Sequence, residues 1–232
     1  MSSPTIPLGG PRSKRDFDLP KKSDKECARA KQILDALRRR YPDAHCELEY
    51  SNPHELLVAT ILSAQATDVG VNKATPGLFA RFPTPADYAA ASPEEIEPFV
   101  NTINFWRNKS KAVHAAMSTV HQEHGGEVPQ TMEELLELRG VARKTANVVL
   151  GNAFGINLGV VVDTHVMRLS QRFGLTKHKD TLKIERDLMA LFPRPSWCLL
   201  SHLLIFHGRR VCKARGALCA NDGICKKFCS NA

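Results

Sequence analysis

Apolar residues recur at helical spacing along most of the chain. Over 23–40, Ala28, Ile33, Leu34 and Leu37 form one stripe, and Arg38, Arg39 and Arg40 load the end where a helix carries its negative pole. A helix opening at Asn52-Pro53 is apolar nearly all round through Leu56, Leu57, Ala59, Ile61 and Leu62, which predicts a central place in a core. Further helices are expected at about 66–79, 84–91, 93–100, 108–124, 131–138, 143–154, 163–173, 181–191 and 196–207. Two starts carry strong signals: Thr131-x-x-Glu134 is a capping box, and Ser92-Pro93-Glu94-Glu95 joins a cap, a first-turn proline and first-turn acids. Val160-Val161-Val162 is too short and isolated to make a sheet. The expectation is an all-α protein with short connections. A flexible basic tail over 1–22, rich in proline, precedes it.

Charge adds a partner. Lys and Arg outnumber Asp and Glu by 32 to 24, for a net charge of +8. The excess gathers at the end of the chain, where Arg209, Arg210, Lys213, Arg215, Lys226 and Lys227 face a single acid, Asp222. That favours a polyanion, with nucleic acid ahead of a membrane surface. No signal-peptide pattern opens the chain, and the uncharged run Thr145–Val162 is broken by Asn147, Gly151, Asn152, Gly155, Asn157 and Gly159. The expected setting is intracellular (cytoplasm or nucleoid in a bacterium) and away from the membrane. Four of the seven cysteines crowd into CKARGALCANDGICKKFC, 212–229. In a reducing compartment such a cluster points to metal rather than disulfides.

The segment TMEELLELRGVARKTANVVLGNAFG reads as two helices joined by a very tight turn. Gly140 supplies the positive φ, and backbone N–H groups at Val141, Ala142 and Arg143 would open the second helix as an anion site. A phosphate bound there is held without any base being read.

The wording of this segment, Leu138-x-Gly140-Val141-x-x-Lys144-Thr145-Ala146-Asn147, resembles the helix–hairpin–helix motif of the endonuclease III family of DNA glycosylases. Leu62-Ser63-Ala64-Gln65-Ala66-Thr67-Asp68, Asn104-Phe105-Trp106-Arg107-Asn108-Lys109, Gly126-Glu127-Val128-Pro129, Val162-Asp163-Thr164-His165 and His207-Gly208-Arg209 match further family segments in order. The resemblance covers about 30–229. It implies two α-helical domains flanking a DNA cleft. A six-helix domain spans 47–157, and a domain bearing an iron–sulfur cluster is built from 23–46 and 158–232. It also implies a bifunctional DNA glycosylase/AP lyase that excises oxidised pyrimidines in base excision repair. The expected partner is double-stranded DNA with damaged bases or abasic sites, bound by a monomer.

The implied roles make chemical sense. Lys144 matches the catalytic lysine, whose amine attacks the sugar C1′ and forms a Schiff base. Partial burial at a helix start is its expected setting, since both favour the neutral amine. Asp163 matches the catalytic aspartate, able to stabilise positive charge on the sugar; it also stands where a helix N-cap belongs. His165 reads as structural. Chemistry at C1′ requires a flipped nucleotide, so Gln65 would fill the gap and Phe105 would act as a wedge, beside Arg107. Three residues depart from the family: Arg139 replaces a proline, Ala142 a glycine and Asn104 a glycine.

The family's four cysteines hold a [4Fe–4S] cluster with spacing C-x6-C-x2-C-x5-C. Cys212 and Cys219 fit, but Asp222 occupies the third position, and Cys225 and Cys229 follow. These four remain the expected ligands of an iron–sulfur cluster. Zinc on four thiolates is the chemical alternative, and Cys198 a substitute ligand. Cys27 and Cys46 read as buried thiols or spectators. Lys213, Arg215, Lys226 and Lys227 would make the cluster loop a clamp on the DNA backbone. Two rival functions stand beside this one. A non-catalytic lesion-binding protein would use the same hairpin. An adenine-mismatch glycosylase would lack Lys144 and carry a further C-terminal domain.

Overall fold

The computed structural model describes residues 18–230, all helix and connection with no strand among them. The described residues form twelve α-helices: α1 Asp24–Arg40, α2 Pro53–Leu62, α3 Asp68–Arg81, α4 Pro85–Ala90, α5 Pro93–Val100, α6 Trp106–Glu123, α7 Met132–Glu137, α8 Arg143–Ala153, α9 Thr164–Arg172, α10 Thr181–Leu191, α11 Trp197–Arg210 and α12 Gly223–Phe228. None is long and apolar enough to cross a membrane. Of the tail expected at 1–22, residues 1–17 lie outside the described residues. Lys22 is tied down, its Nζ 2.6 Å from Asp187 Oδ1.

Caps set most boundaries. Ser23, Asn52, Thr67, Thr84 and Thr131 each accept a backbone N–H of the following turn. Thr67 explains why α3 starts at 68 rather than 66: its hydroxyl accepts from Gly70 N–H. The α12 helix was not foreseen. Asp222 starts it by accepting from Ile224 and Cys225 N–H, both at 2.9 Å.

Two apolar cores result. The first gathers α2, where every residue from Leu56 to Leu62 is buried, with Leu78, Val100, Met117, Leu135 and Leu150. The second gathers Ile33 and Leu37 of α1 with Val166, Leu169, Leu188, Leu200 and Phe206, and takes in Cys212, Cys219 and Cys225. Helix α8 lies at the seam, packing on α2, α7 and α11.

A part-buried ion pair crosses this seam. Arg143 Nε and Nη2 each donate to Glu185 at 2.9 Å, and Asn147 Nδ2 adds a bond at 3.0 Å. Gly159 leaves the room: a Cβ there would stand 1.9 Å from Glu185 Oε1 and 2.6 Å from Asn147 Nδ2. Gly159→Ala is therefore expected to break the pair and cost roughly 3 kcal/mol, read as a fall in the denaturation midpoint. Glu185→Gln, which keeps the shape, should cost less.

Candidate active site and cysteine cluster

The turn between α7 and α8 is closed by its own backbone. Gly140 has φ +82°, and a Cβ on it would come within 3.0 Å of Ala112 Cβ, so both conformation and space require glycine. Val141 N–H donates to Leu138 O at 3.1 Å, and the Val141 side chain is buried. The expected anion site at 141–143 therefore loses that donor, because the N–H is used to close the turn. The Arg143 side chain is committed to Glu185 rather than to solvent. What the hairpin offers an anion narrows to the first turn of α8, which Ala142 starts without a side-chain cap.

Lys144 projects from that turn and is exposed, where partial burial was expected; the buried face of α8 is Ala146, Asn147, Val149 and Leu150. Asp163 is half-buried and caps α9, with Oδ1 accepting Val166 N–H at 2.7 Å. Both cap and candidate base thus reside in one side chain whose position the helix fixes.

A third group joins them. Burial pushes the Asp68 carboxyl above its ordinary value; Lys144 opposes the rise, Asp163 adds to it, and His165 opposes it. The four side chains therefore share one electrostatic neighbourhood. Arg209 Nη2 donates to Asp68 Oδ2 at 2.7 Å and its Nη1 pairs with Glu47, fixing α3 to the end of α11. In sequence, Asp68 carries no role and Arg209 counts only among the basic residues near the end of the chain, although both stand within the matched segments. Their charge, next to the conspicuous Gln65 and Cys212, was the available signal.

Gln65 and Phe105 are the only non-glycine residues at positive φ among those described, at 53° and 59°. Such backbone costs on the order of 1–3 kcal/mol and persists only where surroundings impose it. Both are exposed, Phe105 by 62%. Asn104 links the two loops, donating from Nδ2 to Gln65 O at 3.3 Å. Of the adjacent rings, Phe105 is the free one. Trp106 is half-buried, with the Arg107 guanidinium 4.0 Å above it.

The structure brings Cys212, Cys219, Cys225 and Cys229 together, their sulfurs all within 4.8 Å of one another. Asp222 caps α12, and that short helix carries Cys225 inward. Arg172 Nη1 donates to Cys212 Sγ at 3.1 Å, and His207 Nε2 lies 3.2 Å from Cys225 Sγ. The fully buried His207 ring is held on its other side by Tyr41 Oη, 2.9 Å from Nδ1. A guanidinium and an imidazole directed at sulfur suit thiolates bound to metal. Burial pushes the Cys219 and Cys225 thiols up, so a metal bound there must displace their protons. Cys198 is not part of this group; it packs against Gly151 of α8. Lys213, Arg215, Lys226 and Lys227 are exposed around the cluster.

Residues 58–194 match the family model of the HhH-GPD superfamily base excision DNA repair protein. The chain is 56% identical over 191 residues to Endonuclease III of Synechocystis sp. (82% of this chain, 87% of the relative). It is 39% identical over 194 residues to Endonuclease III of Escherichia coli K12 (84% and 92%). Among solved structures, a trapped Endonuclease III–DNA covalent intermediate superposes with a TM-score of 0.83 at 41% identity, covering 88% of this chain and 95% of that one. A thermostable thymine-DNA glycosylase shares the fold at a TM-score of 0.78 and 20% identity.

Proposed function

The chain belongs to the HhH-GPD superfamily of base excision DNA repair proteins, and from that premise we propose how its own residues divide the work of a DNA glycosylase/AP lyase. The enzyme acts on duplex DNA, and the substrates we assign are oxidised pyrimidines and abasic sites. Lys144 is the nucleophile. Its neutral amine adds to C1′ as the damaged base departs, giving a Schiff base; loss of a C2′ proton then expels the 3′ phosphate by β-elimination. Asp163 stabilises positive charge on the sugar and takes up the proton that Lys144 sheds. The observation that carries this reading is the placement of Lys144 in the first turn of α8 and of Asp163 at the N-cap of α9, with both acting on the Asp68 carboxyl. The related structure of a trapped Endonuclease III–DNA covalent intermediate supports it.

Gln65 fills the space the flipped nucleotide leaves, and Phe105 wedges the stack beside it. Their strained backbone presents both side chains outward before DNA arrives. Asn104, where the family has glycine, ties the two loops together, so Asn104→Gly should weaken binding to a lesion duplex about fivefold, the worth of one neutral hydrogen bond. An equilibrium titration at fixed salt reads it, and unchanged affinity would remove the link from the account.

The cluster proposed on Cys212, Cys219, Cys225 and Cys229 is [4Fe–4S]. The buried tetrad of sulfurs, with the Arg172 guanidinium directed at one and the His207 ring at another, fits it. When bound it supplies a rigid, electron-rich anchor for the loop; no step of base removal passes through it. Lys213 and Arg215 on that loop contact the DNA backbone. Replacing both with alanine should lower the slope of log K against log salt by about 1.8, since each phosphate contact contributes about 0.9. The function itself is tested on a duplex carrying one thymine glycol: the purified holoprotein should release the base and nick the strand. Tight binding with no nick would leave only a lesion-binding protein.

A further inference from the structure

One residue of α9 holds both ends of the cysteine segment. Arg172 Nη1 donates to Cys212 Sγ at 3.1 Å and to Lys213 O at 3.0 Å. The backbone carbonyl of the same residue accepts the Ser230 N–H at 2.8 Å, one position past Cys229. Arg172 thus clamps the segment where its first sulfur enters and where its last one leaves.

A clamp needs only hydrogen bonds, and a neutral donor would serve the Lys213 carbonyl. Arginine adds a permanent positive charge in contact with sulfur, because a guanidinium is protonated at every working pH. Arg172 is half-buried, so water and salt screen that charge less than they screen the exposed Lys213, Lys226 and Lys227. Its reach extends beyond Cys212: Cys229 and Cys219 also act on the guanidinium electrostatically. Three of the four sulfurs therefore share its field. Arg168, one turn earlier on the same face of α9, has a different task. It spends its guanidinium on the carbonyls of Cys212, at 3.2 Å, and Gly208, at 3.0 Å. Arg168 holds backbone, and Arg172 meets the sulfur.

We propose that Arg172 sets the reduction potential of the cluster held by Cys212, Cys219, Cys225 and Cys229, and so protects it from oxidation. This role rests on the iron–sulfur reading of the tetrad.

A [4Fe–4S] centre grows more negative when it gains an electron, and a cation against its sulfur stabilises that state. The potential is therefore higher with Arg172 in place. Taking one electron from the cluster, with ferricyanide reduced to ferrocyanide, leaves more positive charge beside the guanidinium and is opposed. Arg172 is a positioning residue for the cofactor, with no part in the chemistry at the sugar.

The test uses purified holoprotein without DNA. Iron and sulfide are counted first, the midpoint potential is then read by voltammetry, and loss of visible absorption is followed in ferricyanide. Arg172→Gln keeps an N–H donor and loses the charge. It should move the one-electron equilibrium about tenfold toward the oxidised cluster, about 59 mV more negative, and bleach faster. Arg172→Met, which also lacks the donor, should move at least as far. Arg172→Lys restores a cation and should return most of the shift. Lys227→Gln removes an exposed charge and should stay near wild type. Iron held by the lysine variant but by neither neutral one would also support the role of charge. Full iron with one potential across the Arg172 variants would overturn the proposal and leave the cluster reading intact. So would a Lys227→Gln shift as large as that of Arg172→Gln, or iron lost from all three Arg172 variants, which would make the residue a clamp alone. Wild-type protein without iron would overturn both.

Discussion

Lys144→Ala protein is expected to form no borohydride-stable adduct with lesion-bearing DNA and to nick it at least about a thousandfold more slowly than wild type. That factor corresponds to about 4 kcal/mol of transition-state stabilisation. Lys144 is exposed in the first turn of α8, so its removal opens no cavity, and the melting temperature should stay near that of wild type. Loss of chemistry without loss of fold is the signature of a nucleophile. Lys144→Arg sharpens the test, because it preserves the charge available to a phosphate but cannot form the Schiff base. If the arginine variant traps DNA, another amine does the work. Asp163→Asn should also slow both steps. Because an asparagine can still cap α9, the slowing would report on charge rather than on position.

Cys225→Ser is the second large effect. The sulfur is fully buried, carried inward by α12 and set beside His207. Removing one ligand of four should release iron, bleach the broad visible absorption of an iron–sulfur protein, and leave three buried thiols around a polar hydroxyl. A cost of roughly 4 kcal/mol or more would lower the melting temperature of a chain this size by about 8–16 °C. Asp222→Ala is the contrasting variant. If Asp222 serves only as the cap seen here, iron should remain and stability fall by about 1 kcal/mol. Iron lost from Asp222→Ala but kept by Cys225→Ser would reverse the ligand assignment. Zinc without iron in the wild-type protein would replace the cluster altogether.

Much of this was readable in the chain because it is written locally. The all-round apolar α2 is buried from Leu56 to Leu62 as expected, and the caps at Thr131 and Ser92 sit where the pattern put them. Gly140 is demanded by a turn that its neighbours spell out. The corrections are long-range or purely geometric. Arg143 finds Glu185 42 positions away, and nothing near either residue announces the pair. Val141 loses its N–H to a carbonyl three residues back, a matter of backbone geometry that side-chain identity does not report. Helix α12 has six residues, fewer than two turns, and half of its signal is the cysteine that made the segment look like a ligand loop. Asp68 and Arg209 acquire their importance only when α3 and α11 meet.

The second core is assembled from both ends of the chain. Arg29 donates to Phe173 O and, 199 positions away, to Phe228 O, while the first core is drawn from one continuous stretch. During synthesis the first core can therefore collapse early, with its helices still following one another out of the ribosome. The N-terminal helix α1 must wait, its apolar stripe unpartnered, until α10, α11 and α12 emerge to close a long loop. Insertion of the proposed cluster would belong to that last stage, so a shortage of metal should trap nascent chains with one half folded and the other open to proteolysis.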